Sequence, residues 1–200
     1  MTLRLNGSSS GYVQIASPAA AGSNTLTLPA SNGSANQALV NSSSAGVLTF
    51  ANYYGPAFRV HMDGNQTIST ATNSVIEFDD ESYDTDSMFD TSAYKFTPTV
   101  AGYYYLHLSC EIEIGTQNHS ISCTIERVPT SGSTTDEGLT YLWNEGFDTT
   151  LTLNVSALVQ VAESNTDYFR TIIYQNSGQN KTLQAGFRKT TFMGHWVRPL

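Results

Sequence analysis

From Ala57 onward the chain alternates. Phe58, Val60 and Met62 fall on one parity and Arg59 and His61 on the other. A longer run repeats the pattern, with Tyr104, Leu106, Leu108, Cys110, Ile112 and Ile114 set against His107, Ser109, Glu111 and Glu113. Successive side chains of a strand point to opposite faces, so one apolar and one polar parity predicts half-buried antiparallel strands. Further runs at 121–125, 151–161, 168–174 and 187–197 continue the series, and no stretch of comparable length carries a helical period. Many short strands with regular turns predict an all-β sandwich or jelly roll over residues 56–200.

Residues 1–55 follow another pattern. Their only charged side chain is Arg4; every other charge lies beyond residue 58. Three short alternating runs, Tyr12 to Ile15, Asn24 to Pro29 and Gly46 to Phe50, stand between turns rich in Gly, Ser and Asn, and predict brief strands. None is long enough to bury a face by itself, but several chains wound together can bury what one cannot. The missing charges suit such a stalk, since groups crowded at a trimer axis are poorly solvated. A floppy tether is the competing reading. Asn52-Tyr53-Tyr54-Gly55-Pro56 marks the change of module.

Composition narrows the function. Of 200 residues 40% are hydrophobic and only 13% charged, so Ser, Thr, Asn and Gln supply most of the polar surface, as on extracellular and virion proteins. The net charge of −8 repels phosphate backbones and argues against a nucleic-acid partner. No apolar run reaches membrane-spanning length, so no membrane insertion is expected; Met1-Thr2-Leu3-Arg4 lacks the apolar core of a signal peptide, so neither is export by the general route. Cys110 and Cys123 sit on the apolar parity of their strands and read as buried reduced thiols, with a disulfide between neighbouring strands as the alternative. A nucleophile elbow, P-loop, dinucleotide fingerprint, zinc-protease helix and paired Cys motif are all missing, so the chain is not expected to be an enzyme. His61, His107, His119 and His195 show no ligand spacing.

Two resemblances extend this reading. Phe89-Asp90-Thr91-Ser92-Ala93-Tyr94-Lys95-Phe96-Thr97-Pro98-Thr99-Val100-Ala101-Gly102-Tyr103-Tyr104-Tyr105 resembles the signature of the globular head of complement component one q. Thr190-Thr191-Phe192-Met193-Gly194-His195-Trp196-Val197 is similar to that family's last strand, and Ala57-Phe58-Arg59-Val60 with Gln66-Thr67-Ile68 to its first strand and turn. The resemblance covers residues 57–200 and implies the jelly roll shared with tumour necrosis factor, assembled as a compact trimer. The family's collagen-like Gly-X-Y stem is absent. Gly11-Tyr12-Val13-Gln14-Ile15, then Ala21-Gly22-Ser23-Asn24-Thr25-Leu26-Thr27-Leu28-Pro29 and Asn36-Gln37-Ala38-Leu39-Val40, resemble a segment of phage fibre proteins.

Candidate sites follow. In Tyr103-Tyr104-Tyr105 the middle ring shares the core parity, so Tyr103 and Tyr105 face outward. A trimer would use them at its subunit interface together with Phe192 and Trp196 of the last strand; a sugar-stacking platform is the competing use of the outward rings. Asp79, Asp80, Asp84 and Asp86 form an acidic stretch, read as a solvated loop. Because some heads of the resembled family hold calcium, these four are also the candidate calcium ligands; no other cofactor is expected. The expected function is that of a bacteriophage tail-fibre protein: a homotrimer whose residues 1–55 join other virion proteins and whose head binds a host-surface glycan or protein. The alternative is a structural decoration of the capsid, neck or tail. A secreted cytokine-like ligand is the third reading, disfavoured by the N-terminus.

Overall fold

The computed structural model describes residues 3–200 apart from residues 17, 21, 36, 43, 53, 114, 116, 117, 146–149 and 163–165. Ile114 and Tyr53, which figured in the patterns above, lie outside the described residues. All regular elements among the described residues are strands. The chain divides into two compact units, Met1–Tyr54 and Gly55–Leu200.

The first unit holds two antiparallel hairpins. Strand β1 (Leu3–Asn6) pairs with β2 (Tyr12–Ile15), Leu3 opposite Ile15, and β3 (Gln37–Asn41) pairs with β4 (Leu48–Asn52). The strand expected over 24–29 shrinks to a single parallel bridge between Thr27 and Val47. Pro29 has no N–H for a ladder, and the Ser, Gly and Asn around this segment favour turns over extension. All eight side chains of the first hairpin are exposed, Leu3, Leu5, Tyr12, Val13 and Ile15 included.

The second unit is a two-layer sandwich. In chain order its strands are β5 (Ala57–His61), β6 (Gln66–Ile68), β7 (Ser74–Val75), β8 (Asp80–Asp84), β9 (Phe89–Asp90), β10 (Lys95–Phe96), β11 (Gly102–Glu113), β12 (Asn118–Val128), β13 (Thr135–Glu145), β14 (Thr150–Val161), β15 (Tyr168–Gln175), β16 (Lys181–Leu183) and β17 (Thr191–Arg198). One sheet runs β6-β16-β11-β17-β5-β8, with β14 paired along β11; the other runs β13-β12-β15-β10-β9, with β7 on β15. The inward parities of both sheets close on an aromatic core. Phe58 stacks on Phe96 at 4.5 Å and meets Phe192 edge-on at 5.2 Å. Cys110 and Cys123 are free and buried, one on each sheet. Burial, with the Cys123 thiol beside it, holds the Cys110 thiol well above the usual range.

Two strands depart from expectation. The acidic stretch is not wholly a loop: Asp80–Asp84 pairs antiparallel with β5 as an edge strand. Its side chains show no apolar alternation because one backbone edge holds it and both faces are wet, and charge on an edge strand discourages further pairing. Strand β13 lay in a region with no expected element. Gly138 and the Thr-Asp-Glu opening mask its start, and Gly138 sits where a Cβ would meet Val155 Cγ1 at 2.9 Å.

Candidate functional site

The outer face of the first sheet gathers the rings singled out by parity. Along β11 side chains alternate between core and surface: Tyr104 is buried, Tyr103 half-buried and Tyr105 exposed. Register then places Leu158 of β14 and His195 of β17 on either side of Tyr105, and Ser156 and Met193 on either side of His107. Ser156 Oγ accepts the Tyr105 hydroxyl at 3.0 Å and lies 2.9 Å from His107 Nδ1. A serine that accepts from the phenol keeps its own proton for the imidazole, so the three side chains form one polar chain over the strands. Partial burial holds the His107 pKa below its usual value. The Tyr105 and His195 rings stand 5.6 Å apart.

A serine beside a histidine invites comparison with a nucleophile and its base. The pair lacks the rest of that machinery: among the described residues no carboxylate is hydrogen-bonded to His107, and Ser156 sits mid-strand, its hydroxyl also held by a tyrosine. The arrangement suits packing and recognition. Leu158 adds a side chain 65% exposed, so the face is mostly aromatic and aliphatic with a hydrogen-bonded centre.

Tyr103 and Tyr105 face outward on this sheet, whereas Phe192 and Trp196 do not. Phe192 is 0% exposed and packs against Phe58, Phe78 and Phe89 within its own chain. Its parity on β17 is that of Gly194, the inward one, which places it in the core of its own chain. Trp196 pairs with Tyr104, packs on the core and donates its Nε1–H to Ala101 O at 3.1 Å. Glycines make room for these packings. A Cβ on Gly194 would stand 2.6 Å from Leu106 Cδ2, and one on Gly102, whose φ is +148°, would strike Trp196. Tyr103 is partly covered by Arg198, whose guanidinium lies 4.6 Å from the ring centre.

The four carboxylates proposed for calcium serve separate structural tasks. Asp79 accepts the Asp63 N–H at 2.8 Å, Asp80 meets His61 Nε2 at 3.2 Å, and Asp84 accepts the N–H groups of Asp86 and Phe89. Asp86 accepts the Thr99 hydroxyl at 3.4 Å. Calcium needs six or more converging oxygens. Among the described residues no three His, Cys, Asp or Glu side chains come together to hold a metal ion. The register shift in the pairing with β5 sets Asp84 opposite Phe58 and Asp80 opposite His61, residues of opposite parity on that strand.

The outward side chains of β13, namely Leu139, Tyr141 and Trp143, went unnoticed in the sequence. The signal was there, since Leu139-Thr140-Tyr141-Leu142-Trp143 alternates, but with large apolar residues on one parity and a leucine on the other. A face that is apolar outward cannot be told from a buried one by period alone.

No curated protein sequence matches the chain. Among solved structures it is similar to murine APRIL, at a TM-score of 0.57 and 8% identity over 72% of this chain and 99% of that one. It is also similar to the Eiger tumour necrosis factor of S. frugiperda, at a TM-score of 0.53 and 10% identity over 74% and 95%. At these identities the likeness concerns the fold alone. The globular domain of zebrafish complement 1qA is 17% identical over 72% and 99%, at a TM-score of 0.45. The family model of the C1q domain matches residues 57–197, from the start of β5 into β17, and the chain belongs to the C1q domain family.

Proposed function

We propose that this chain is a homotrimeric bacteriophage fibre protein without catalytic activity, displayed on the outside of the virion, whose C1q head binds a glycan or protein on the host surface. The observation that carries this reading is the first unit. Leu3, Leu5, Tyr12, Val13, Ile15, Leu26 and Leu28 are all exposed in the single chain, in a segment with one charge. A two-stranded hairpin with no second layer is marginal in water, and these side chains need other chains to cover them. Copies of the same segment provide that cover in a fibre stalk, and the adjoining virion proteins complete it. The exposed Tyr105 and Leu158 give the head a matching self-association face. Three heads on one stalk multiply weak contacts into firm adsorption. No cofactor is part of the proposal.

Light scattering on the purified chain tests the assembly: a mass three times that of the chain is expected, and a monomer overturns the reading. Leu158→Asp, which puts a charge on the proposed contact, is expected to lower that mass. Adsorption of the trimer to a susceptible bacterium, with blocking of infection, tests the receptor role. A trimer that ignores every cell but is captured by virion proteins is instead a structural decoration of the particle.

A further inference from the structure

The second sheet carries an outward face unlike an ordinary wet β surface. Edge strands usually protect themselves with charge. Strand β13 instead presents Tyr141, 59% exposed, and Trp143, 55% exposed, with Leu139 one rung further along. Across the ladder Tyr141 lies opposite Ser122 of β12 and Leu139 opposite Thr124, and beyond these come Tyr174 and Ile172 of β15. One rung along from Tyr141, an open groove of about 340 Å³ takes Leu139, Ile172 and Val75 as its apolar lining. Its polar lining is Asn73, Ser122, Thr124, Glu126, Asp136 and Arg170.

This pairing of surfaces specifies a ligand chemistry. The rings offer flat faces of negative partial charge, which attract C–H bonds polarised by neighbouring oxygens. The groove offers two carboxylates that only accept, a guanidinium that only donates, two hydroxyls that do both, and an amide. The Arg170–Glu126 ion pair fixes two of these groups in place. A molecule with an apolar C–H face on one side and a ring of hydroxyls at its edge satisfies both surfaces at once, and that is a pyranose. Two carboxylates stand against one guanidinium on a chain of net charge −8, so a sialic acid, a uronic acid or a phosphate would be repelled.

We infer that the Tyr141–Trp143 strip and the adjoining groove bind a neutral, hexose-containing glycan. The rings stack on the sugar, and Ser122, Thr124, Glu126, Asp136 and Arg170 take its hydroxyls. This rests on the surface-binding reading above and gives it a site and a ligand class. The site lies on the sheet opposite the Tyr105 face, so it stays open when that face is covered.

The test is an array of neutral and acidic oligosaccharides probed with the full chain, followed by titration of the best neutral sugar against tryptophan fluorescence. Binding to neutral hexose glycans is expected. Trp143→Ala and Tyr141→Ala are each expected to weaken it about tenfold or more. Mass by light scattering and thermal unfolding should be unchanged. Asp136→Asn, at an exposed position that cannot upset folding, is expected to weaken it several-fold. Binding only to acidic sugars, no binding at all, or variants that bind like the parent overturn the inference; so does a change of mass in the ring variants, which makes the strip a subunit contact. If the parent adsorbs to cells and the ring variants do so equally, the receptor reading stands and this site falls. If the site binds glycan but no cell is recognised, the site stands and the adsorption reading falls.

Discussion

Tyr105, Ser156 and His107 show how a few polar groups sit on a mostly apolar face: the two hydroxyls and His107 Nδ1 answer one another, so these atoms need little solvation. The cost is sensitivity to acid. Partial burial lowers the His107 pKa from its ordinary value of 6.5, so the fold favours the neutral ring. As pH falls, the unfolded chain takes up this proton first. Stability is therefore present above the ordinary value and lost as pH falls through the lowered, folded one. His107→Gln is expected to flatten this acid limb, measured as urea midpoints at stepped pH. Phe192 sets a second expectation at this scale. Replacing its ring by Ala should cost about 3–5 kcal/mol in denaturant unfolding. An interface ring would change the oligomer's mass instead. The parity of Tyr104 was legible from its neighbours. Phe192 was expected at a subunit interface, whereas its ring is buried in the core of its own chain; Thr191 and Phe192 are both buried, so burial at the start of β17 does not alternate.

At the scale of elements, β11 and β14 were plain in the sequence because buried positions alternate with half-buried or exposed ones along most of their length. Strand β8 was hidden because it is held by backbone pairing with β5, with no alternating burial to betray it. Strand β13 was hidden because its apolar parity looks outward. In β17 the sequence Thr-Phe-Met-Gly held a packing requirement that becomes visible only in three dimensions. Gly194 lies between Leu106 and Phe58, so Gly194→Ala is expected to cost about 1–3 kcal/mol by overpacking, read from the shift in denaturant midpoint at unchanged slope.

The whole molecule is two units of unequal self-sufficiency. Among the described residues, every member of the buried core lies from Phe58 to Phe192, and none comes from the first unit. Deletion of residues 1–54 is therefore expected to leave the thermal transition of the head in place by calorimetry, while the isolated first unit should show no cooperative transition. Sequence by itself determined the all-β class, the inward and outward parities of the long strands and the change of chemistry after Gly55, because these depend only on neighbours along the chain. Tertiary structure alone decided which strands lie side by side. It buried Phe192 and packed the partly covered Trp196 on the core of the same chain, gave the four aspartates separate partners, and placed Tyr141 and Trp143 on the sheet face that carries the Arg170 groove. Such outcomes depend on register between strands distant in sequence, and register is chosen by how both sheets pack their inner faces together.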